Sequence, residues 1–203
     1  MSLIASRAAD AGEFKSLDAG TYIARCVSIW GIGHQYNQLN DKWKPNIILR
    51  WGVPEETTDD GRPLTICGFY TLSLHEKSNL YKTLVAWRGK AFTDDELAGF
   101  DLANILGAPC LLTVTVNDNG KTRVGGVSKL GKGMTCPDAV NELETYDMSD
   151  DPGGAKYAAL PEWVQGQVDQ SRERAPVESI DNGRPTATAD AGAKEDAADE
   201  IPF

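Results

Sequence analysis

The sequence predicts an all-β domain with one helix between its third and fourth strands, followed by an acidic tail. Five short apolar runs with strand-like alternation lie between residues 20 and 130, separated by Gly, Pro, Asn and Asp clusters. A helical stripe with capping residues follows the third run. From residue 147 onward large apolar side chains thin out and acids accumulate.

Residues 1–19 are weakly patterned and read as an N-terminal arm. Gly20 launches a first strand over Thr21–Trp30, rich in Tyr, Ile, Val and Trp. Gly31-Ile32-Gly33 is expected to end it and open a polar loop from His34 to Trp43. In the second strand, Asn46–Val53, a period of two puts Ile47, Leu49 and Trp51 on one side and Ile48 and Arg50 on the other. An acidic turn region, Pro54–Pro63, leads to the third strand, Leu64–Leu72. There Ile66, Tyr70 and Leu72 form the better-filled face, with Thr65, Cys67, Phe69 and Thr71 opposite.

Ser73 and Glu76 have the spacing of a capping box, which predicts a helix from that point to Gly89 with Leu80, Leu84 and Trp87 on one stripe. Thr93 and Glu96 repeat the box, and Asp101 is placed to cap a further turn. Cys110–Val116 is the fourth strand, Asn117–Gly120 a hairpin turn, and Lys121–Leu130 the fifth strand. Three strands, a helix and two strands is the order of the OB fold, a five-stranded Greek-key barrel. The expected organisation is therefore an arm (1–19), an OB-fold nucleic-acid-binding domain (20–146) and a largely disordered acidic tail (147–203). Within the tail, Tyr157–Val168 holds Leu160, Trp163 and Val164 and is expected to form a docked helical turn or two.

The charge is unevenly spread. The net value is -10, but residues 147–203 hold 13 acids against 5 bases, so the body before them is close to neutral. One basic strip stands out, since residues 119–137 contain Lys121, Arg123, Lys129 and Lys132 and no acid. In an OB barrel the ligand face lies on strands two and three, flanked by the loops joining strands one to two and four to five. That face maps onto Tyr36, Lys42, Trp43 and Lys44 in the first arm, Arg50 and Phe69 on the strands, and Lys121, Arg123, Lys129 and Lys132 in the second arm. Exposed bases stack on aromatic rings while Lys and Arg neutralise phosphates, so this mixture suits a single strand. Trp30, Trp51, Tyr70 and Trp87 sit on regular apolar faces and are expected in the core.

Catalysis is not expected. The chain has two histidines, no phosphate-loop motif and no nucleophile elbow, and Asp94-Asp95-Glu96 are first-turn helix acids. The four cysteines lack metal-site spacing and read as reduced thiols, so neither metal nor cofactor is expected. The first residues lack a signal-peptide pattern, which points to the cytoplasm.

Two stretches carry a family resemblance. Asp199-Glu200-Ile201-Pro202-Phe203, an acidic pair before an apolar plug, resembles the partner-recruiting tip of bacterial-type single-stranded DNA-binding proteins, with fewer consecutive acids. The phrases Tyr70-Thr71-Leu72-Ser73-Leu74-His75-Glu76-Lys77 and Trp87–Leu112 resemble a family of small bacteriophage replication-module proteins regarded as OB-fold single-stranded DNA-binding proteins. The resemblance implies a non-catalytic protein that coats and protects single-stranded DNA in phage replication or recombination, in the cytoplasm of an infected host. It further implies that residues 199–203 recruit replication or repair proteins. A barrel that serves as a protein–protein adaptor is the alternative. Duplex DNA and RNA stay open as ligands, and the oligomeric state is open too.

A tail of net charge -8 tethered to a basic strip should compete with nucleic acid for that strip. Removing residues 195–203 is therefore expected to tighten oligonucleotide binding at low salt and abolish partner recruitment, as read by titration and pull-down.

Overall fold

The computed structural model describes residues 15–174 and the backbone of 180–181 and 184–185. The architecture is mostly β, built on one six-stranded sheet. Its main strands are β1 (Gly20–Asn37), β2 (Lys42–Thr57), β3 (Pro63–Thr71), β4 (Pro109–Val116) and β5 (Thr122–Ser128), paired antiparallel in the order β3-β2-β1-β4-β5. A short β6 (Glu144–Asp147) pairs parallel to β1. The two outer strands, β3 and β5, approach one another, and α1 (Asn79–Arg88) lies against both. The sheet is thus curled, with a helix across its open side. A two-residue ladder, β7 (Ile180–Asp181) with β8 (Arg184–Pro185), stands apart.

Alternation in β2 and β3 fills the inside of the curl. Ile47, Leu49, Trp51 and Val53 face Leu64, Ile66 and Tyr70, and Leu80, Leu84 and Trp87 of α1 close over them. The sequence pattern assigns these faces correctly except at Leu72, which lies past the end of β3 and is 46% exposed. Trp51 packs against both Tyr70 and Trp87, at centroid distances of 6.3 and 6.1 Å.

β1 departs from simple alternation. Ala24 and Cys26 point into this core, and an unbroken period of two would send Trp30 after them. A bulge between Cys26 and Ser28 adds one residue, so Ile29 takes the inner position and Trp30 turns outward. A second irregularity between Gly31 and His34 bends the strand without ending it. The expected break at Gly31–Gly33 and the expected loop from His34 are therefore corrected. β1 continues to Asn37, and the connection shrinks to a tight turn before Lys42, with Asp41 at a φ of 53°.

Trp30 and Ile32, with Ile48 of β2, found a second core on the outer face. Tyr146 of β6, Met148 just after it, Leu160 at the end of α3 (Ala155–Ala159), and Val164 and Val168 of α4 (Glu162–Asp169) cover it. The expectation of a largely disordered tail from residue 147 is corrected for residues 147–174, where the docked turns expected over Tyr157–Val168 are found as α3 and α4. Residues 144–174 fold against the sheet, and a boundary at 146 would cut β6. Residues 175–203 lie outside the described residues, apart from the β7–β8 backbone.

The helix start is a further correction. Ser78, not Ser73, caps α1, accepting from the Tyr81 amide at 3.2 Å. Residues 73–78 form a turn in which the Ser78 hydroxyl donates to the Ser73 carbonyl at 2.6 Å. The buried stripe begins only at Leu80, so residues 74–77 gain little from helical burial. Gly89 ends the helix in the left-handed conformation, its amide donating to Val85 O. The second capping box, Thr93 with Glu96, forms as expected at the start of α2 (Asp94–Ala98), and Asp101 caps a 3-10 turn over Leu102–Ile105.

Truncating Leu84 removes a fully buried side chain between the helix and the curled sheet. Leu84→Ala is expected to lower stability by about 2–5 kcal/mol in a urea titration.

Candidate nucleic-acid interface

The residues expected to bind nucleic acid fall into separate groups. Tyr36, Lys42, Trp43 and Lys44 meet at the tip of the β1–β2 hairpin. Tyr36 pairs across the ladder with Trp43, rings edge-on at 5.4 Å, and both remain partly exposed. The Tyr36 hydroxyl donates to Asp41, and the Leu39 amide donates to Asn37 Oδ1 at 3.0 Å, which fixes the turn. Lys42 lies opposite Asn37 and Lys44 opposite Gln35, so two cations precede and follow Trp43 along the strand, on the reverse face of the hairpin tip.

Lys121 and Arg123 form a second group at the β4–β5 turn, both exposed. The pairing of Gly20 with Val114 puts this turn near the start of β1, whereas the first arm is at its far end. Lys129 and Lys132 lie past β5. The Lys129 amide donates to Ala86 O of α1 at 3.1 Å, so this pair belongs to the helix side of the molecule.

Arg50 and Phe69 share the outer face of β2 and β3. Arg50 is largely committed to the fold. Its Nε donates to Ser28 Oγ at 2.9 Å, its Nη2 meets Glu144 Oε2 at 3.1 Å, and its guanidinium lies 4.8 Å from the Trp30 ring centroid. With its side chain only 19% exposed, it ties β2, β1 and β6 together and has its charge matched. Phe69 is free of such ties and 56% exposed.

Beside it stands a residue that the sequence pattern places only in a docked turn. Trp163, in the first turn of α4, is 46% exposed with its ring centroid 6.3 Å from that of Phe69. Its other neighbour is the buried Trp30, edge-on at 5.9 Å. Nothing in the spacing around Trp163 signals this position, because it depends on where α4 docks.

α4 is held by polar contacts along the outer half of β1. Gln35 Nε2 donates to Gln167 O at 2.9 Å, and the Arg172 amide donates to His34 O at 2.9 Å. Glu173 accepts from the His34 amide at 3.0 Å and from its Nδ1–H at 2.5 Å. Gly33 makes this approach possible. Its φ is +73°, and a Cβ there would fall 2.8 Å from Met148 and 2.9 Å from Glu173.

Two hollows lie among the described residues. A cleft of about 560 Å³ beside β6 is lined by Asp101, Asp147, Asp150 and Glu173 against Lys156 and His34, a balance unsuited to phosphate. A smaller one of about 430 Å³ lies between α1 and the 3-10 turn, with Lys90 and Lys129 among its lining residues. All four cysteines are free thiols, and burial pushes Cys26 up to about 12 and Cys67 up to about 11. Burial also raises Cys110 and Cys136, so none has the depressed pKa of an activated nucleophile. Among the described residues no group of three or more His, Cys, Asp or Glu side chains is placed to hold a metal ion, and no helix is long and apolar enough to cross a membrane. The predicted partner-binding residues Asp199, Glu200, Ile201, Pro202 and Phe203 lie outside the described residues.

No family model matches the chain, nor does any curated protein.

The Glu173 contact gives a pH dependence. Burial opposes ionisation of this carboxyl, but the hydrogen bonds from the His34 ring and amide outweigh it and hold the group below the usual carboxylate range. A folded-state value below the unfolded one, near 4.3, contributes stability that is present above that pH and lost as the pH falls through the lowered value. The protection of the α4 amides, their exchange rates referred to the unfolded rate at the same pH, is expected to fall at acid pH as Glu173 protonates. Glu173→Gln should show lower protection already at neutral pH and a weaker dependence of that protection on pH over the acidic range.

Proposed function

We propose that the chain is a non-catalytic single-stranded DNA-binding protein with an OB-type barrel. Its role is to coat and protect DNA during phage replication or recombination in the host cytoplasm. The observation that carries this reading is the β1–β2 hairpin tip, where Tyr36 and Trp43 form a partly exposed ring pair, with Lys42 and Lys44 before and after Trp43 along the strand. Rings that stack on bases beside cations that meet phosphates suit a flexible strand, whereas duplex recognition relies on groove-filling elements.

The barrel assignment is supported by the strand order, by α1 in the connection between β3 and β4, and by the approach of β3 to β5. Lys121 and Arg123 supply a second cationic arm. Arg50 belongs to the internal framework, so the proposed contact set is Tyr36, Lys42, Trp43, Lys44, Phe69, Lys121 and Arg123, with Lys129 and Lys132 on the helix side. The resemblance to phage replication-module proteins supports the biological setting. The likeness of residues 199–203 to a recruiting tip supports a role in bringing replication or repair proteins to the coated strand.

Adding oligo-dT at low salt is expected to quench tryptophan fluorescence, and raising the salt should reverse it. Trp43→Ala should remove much of the quench. Replacing Lys42 and Lys44 by Ala should lower the slope of log affinity against log salt by about one for each phosphate no longer neutralised. No quenching at low salt would assign the barrel to protein partners instead.

A further inference from the structure

Phe69 and Trp163 are two large rings that the fold brings together and leaves half-exposed. They come from distant parts of the chain, β3 and α4, and meet at 6.3 Å with a 58° tilt. Burial of the cores does not account for their open faces. Leu160, Val164 and Val168 already seal the second core, and Phe69 belongs to neither core cluster. Trp163 rests edge-on against the buried Trp30, yet both it and Phe69 keep about half their surface open, and such an exposed aromatic pair points to a ligand.

The size of the patch narrows the choice. A stable protein partner covers roughly 800 Å² on each side. Two half-exposed rings offer on the order of 200 Å², since a whole aromatic side chain spans about 150–250 Å². That area suits flat unsaturated rings of their own size. The patch also has a cation on its own face. Phe69 pairs with Ile48 and Thr71 with Asn46, and Lys44 follows on the same face of β2, about 13 Å from Ile48. A strand lying along this face would pass from Lys44 to Phe69 and Trp163, with the Tyr36–Trp43 pair on the other side of the hairpin tip.

We infer that Phe69 and Trp163 together form a base-stacking platform, so that the C-terminal segment 144–174 is a working part of the nucleic-acid site as well as a cover for the second core. This rests on the proposed single-strand binding. It adds a linkage, because a strand that needs Trp163 in place must in turn stabilise the docked segment by the same factor.

The test uses the full chain and oligo-dT. Trp163→Ala is expected to weaken binding by roughly tenfold, the effect of losing one stacked base, while Trp163→Phe keeps most of it. In the unaltered chain, saturating oligo-dT should slow tryptic cleavage after Lys156 and Arg172, which lie in the docked segment. Wild-type affinity in Trp163→Ala overturns the inference, as does cleavage at an unchanged rate. Either result, combined with weakened binding in Trp43→Ala, leaves the proposed function standing. If the unaltered chain fails to bind oligo-dT at low salt, both fall together.

Discussion

The backbone of β1 has to be satisfied along both edges over 18 residues, and the way this is met sets the rest of the structure. On one edge β2 pairs with it from Arg25 to Asn37. On the other, β4 pairs with residues 20–25 and then diverges, and β6 takes over at residues 28–31. The change of partner coincides with the bulge that turns Trp30 from the inner to the outer face. One strand therefore serves two cores, and the segment that completes its hydrogen bonding also covers the ring that the bulge exposes. Arg50 locks this arrangement. Its guanidinium bridges Ser28 and Glu144 over the face of Trp30, so the β6 contact is held by charge as well as by the ladder.

The same logic separates structural charge from available charge. Arg88 lies over Phe92 at 4.2 Å and bonds Glu96, which also closes the capping box of α2. Arg25 is spent on the carbonyls of Gly107, Cys136 and Pro137, holding the link from β5 to β6. Arg174 spans Asp169 and the Tyr157 ring. Arginines with planar, multi-donor heads are drawn into such ties, whereas Lys42, Lys121 and Lys132 stand exposed as simple cations. The nearly neutral body thus keeps part of its positive charge for the surface.

Much of the fold was legible because it is local. Period-two alternation separated Ile47, Leu49 and Trp51 from Ile48 and Arg50, and the Leu80, Leu84, Trp87 stripe marked α1. Trp30, Trp51, Tyr70 and Trp87 are buried as their apolar faces required. The hairpin group Tyr36, Lys42, Trp43 and Lys44 was legible as a set, although it is the end of a ladder and not a loop. What escaped was non-local. A bulge inverts every later side chain without any residue announcing it, and Gly31–Gly33 read as a stop because glycine serves bends and breaks alike. The Arg50–Glu144 pair joins residues with no common spacing. Trp163 acquired its place beside Phe69 only through the docking of α4, and a residue can be judged exposed or buried only once its neighbours are known.

The parallel ladder between β1 and β6 also has a temporal side. Ser28 pairs with Glu144, whereas β1–β2, β2–β3 and β4–β5 join neighbours in sequence. On the ribosome, residues emerge at about 5–20 per second, so the first hairpin waits on the order of ten seconds before residues 144–168 follow. Throughout that interval Trp30, Ile32 and Ile48 form a bare apolar face on a nascent sheet whose β1 edge is unpaired beyond the reach of β4. Closing a contact of such long range is the slow step that topology imposes. The newborn chain is therefore most in need of a chaperone on the face that the finished protein covers last.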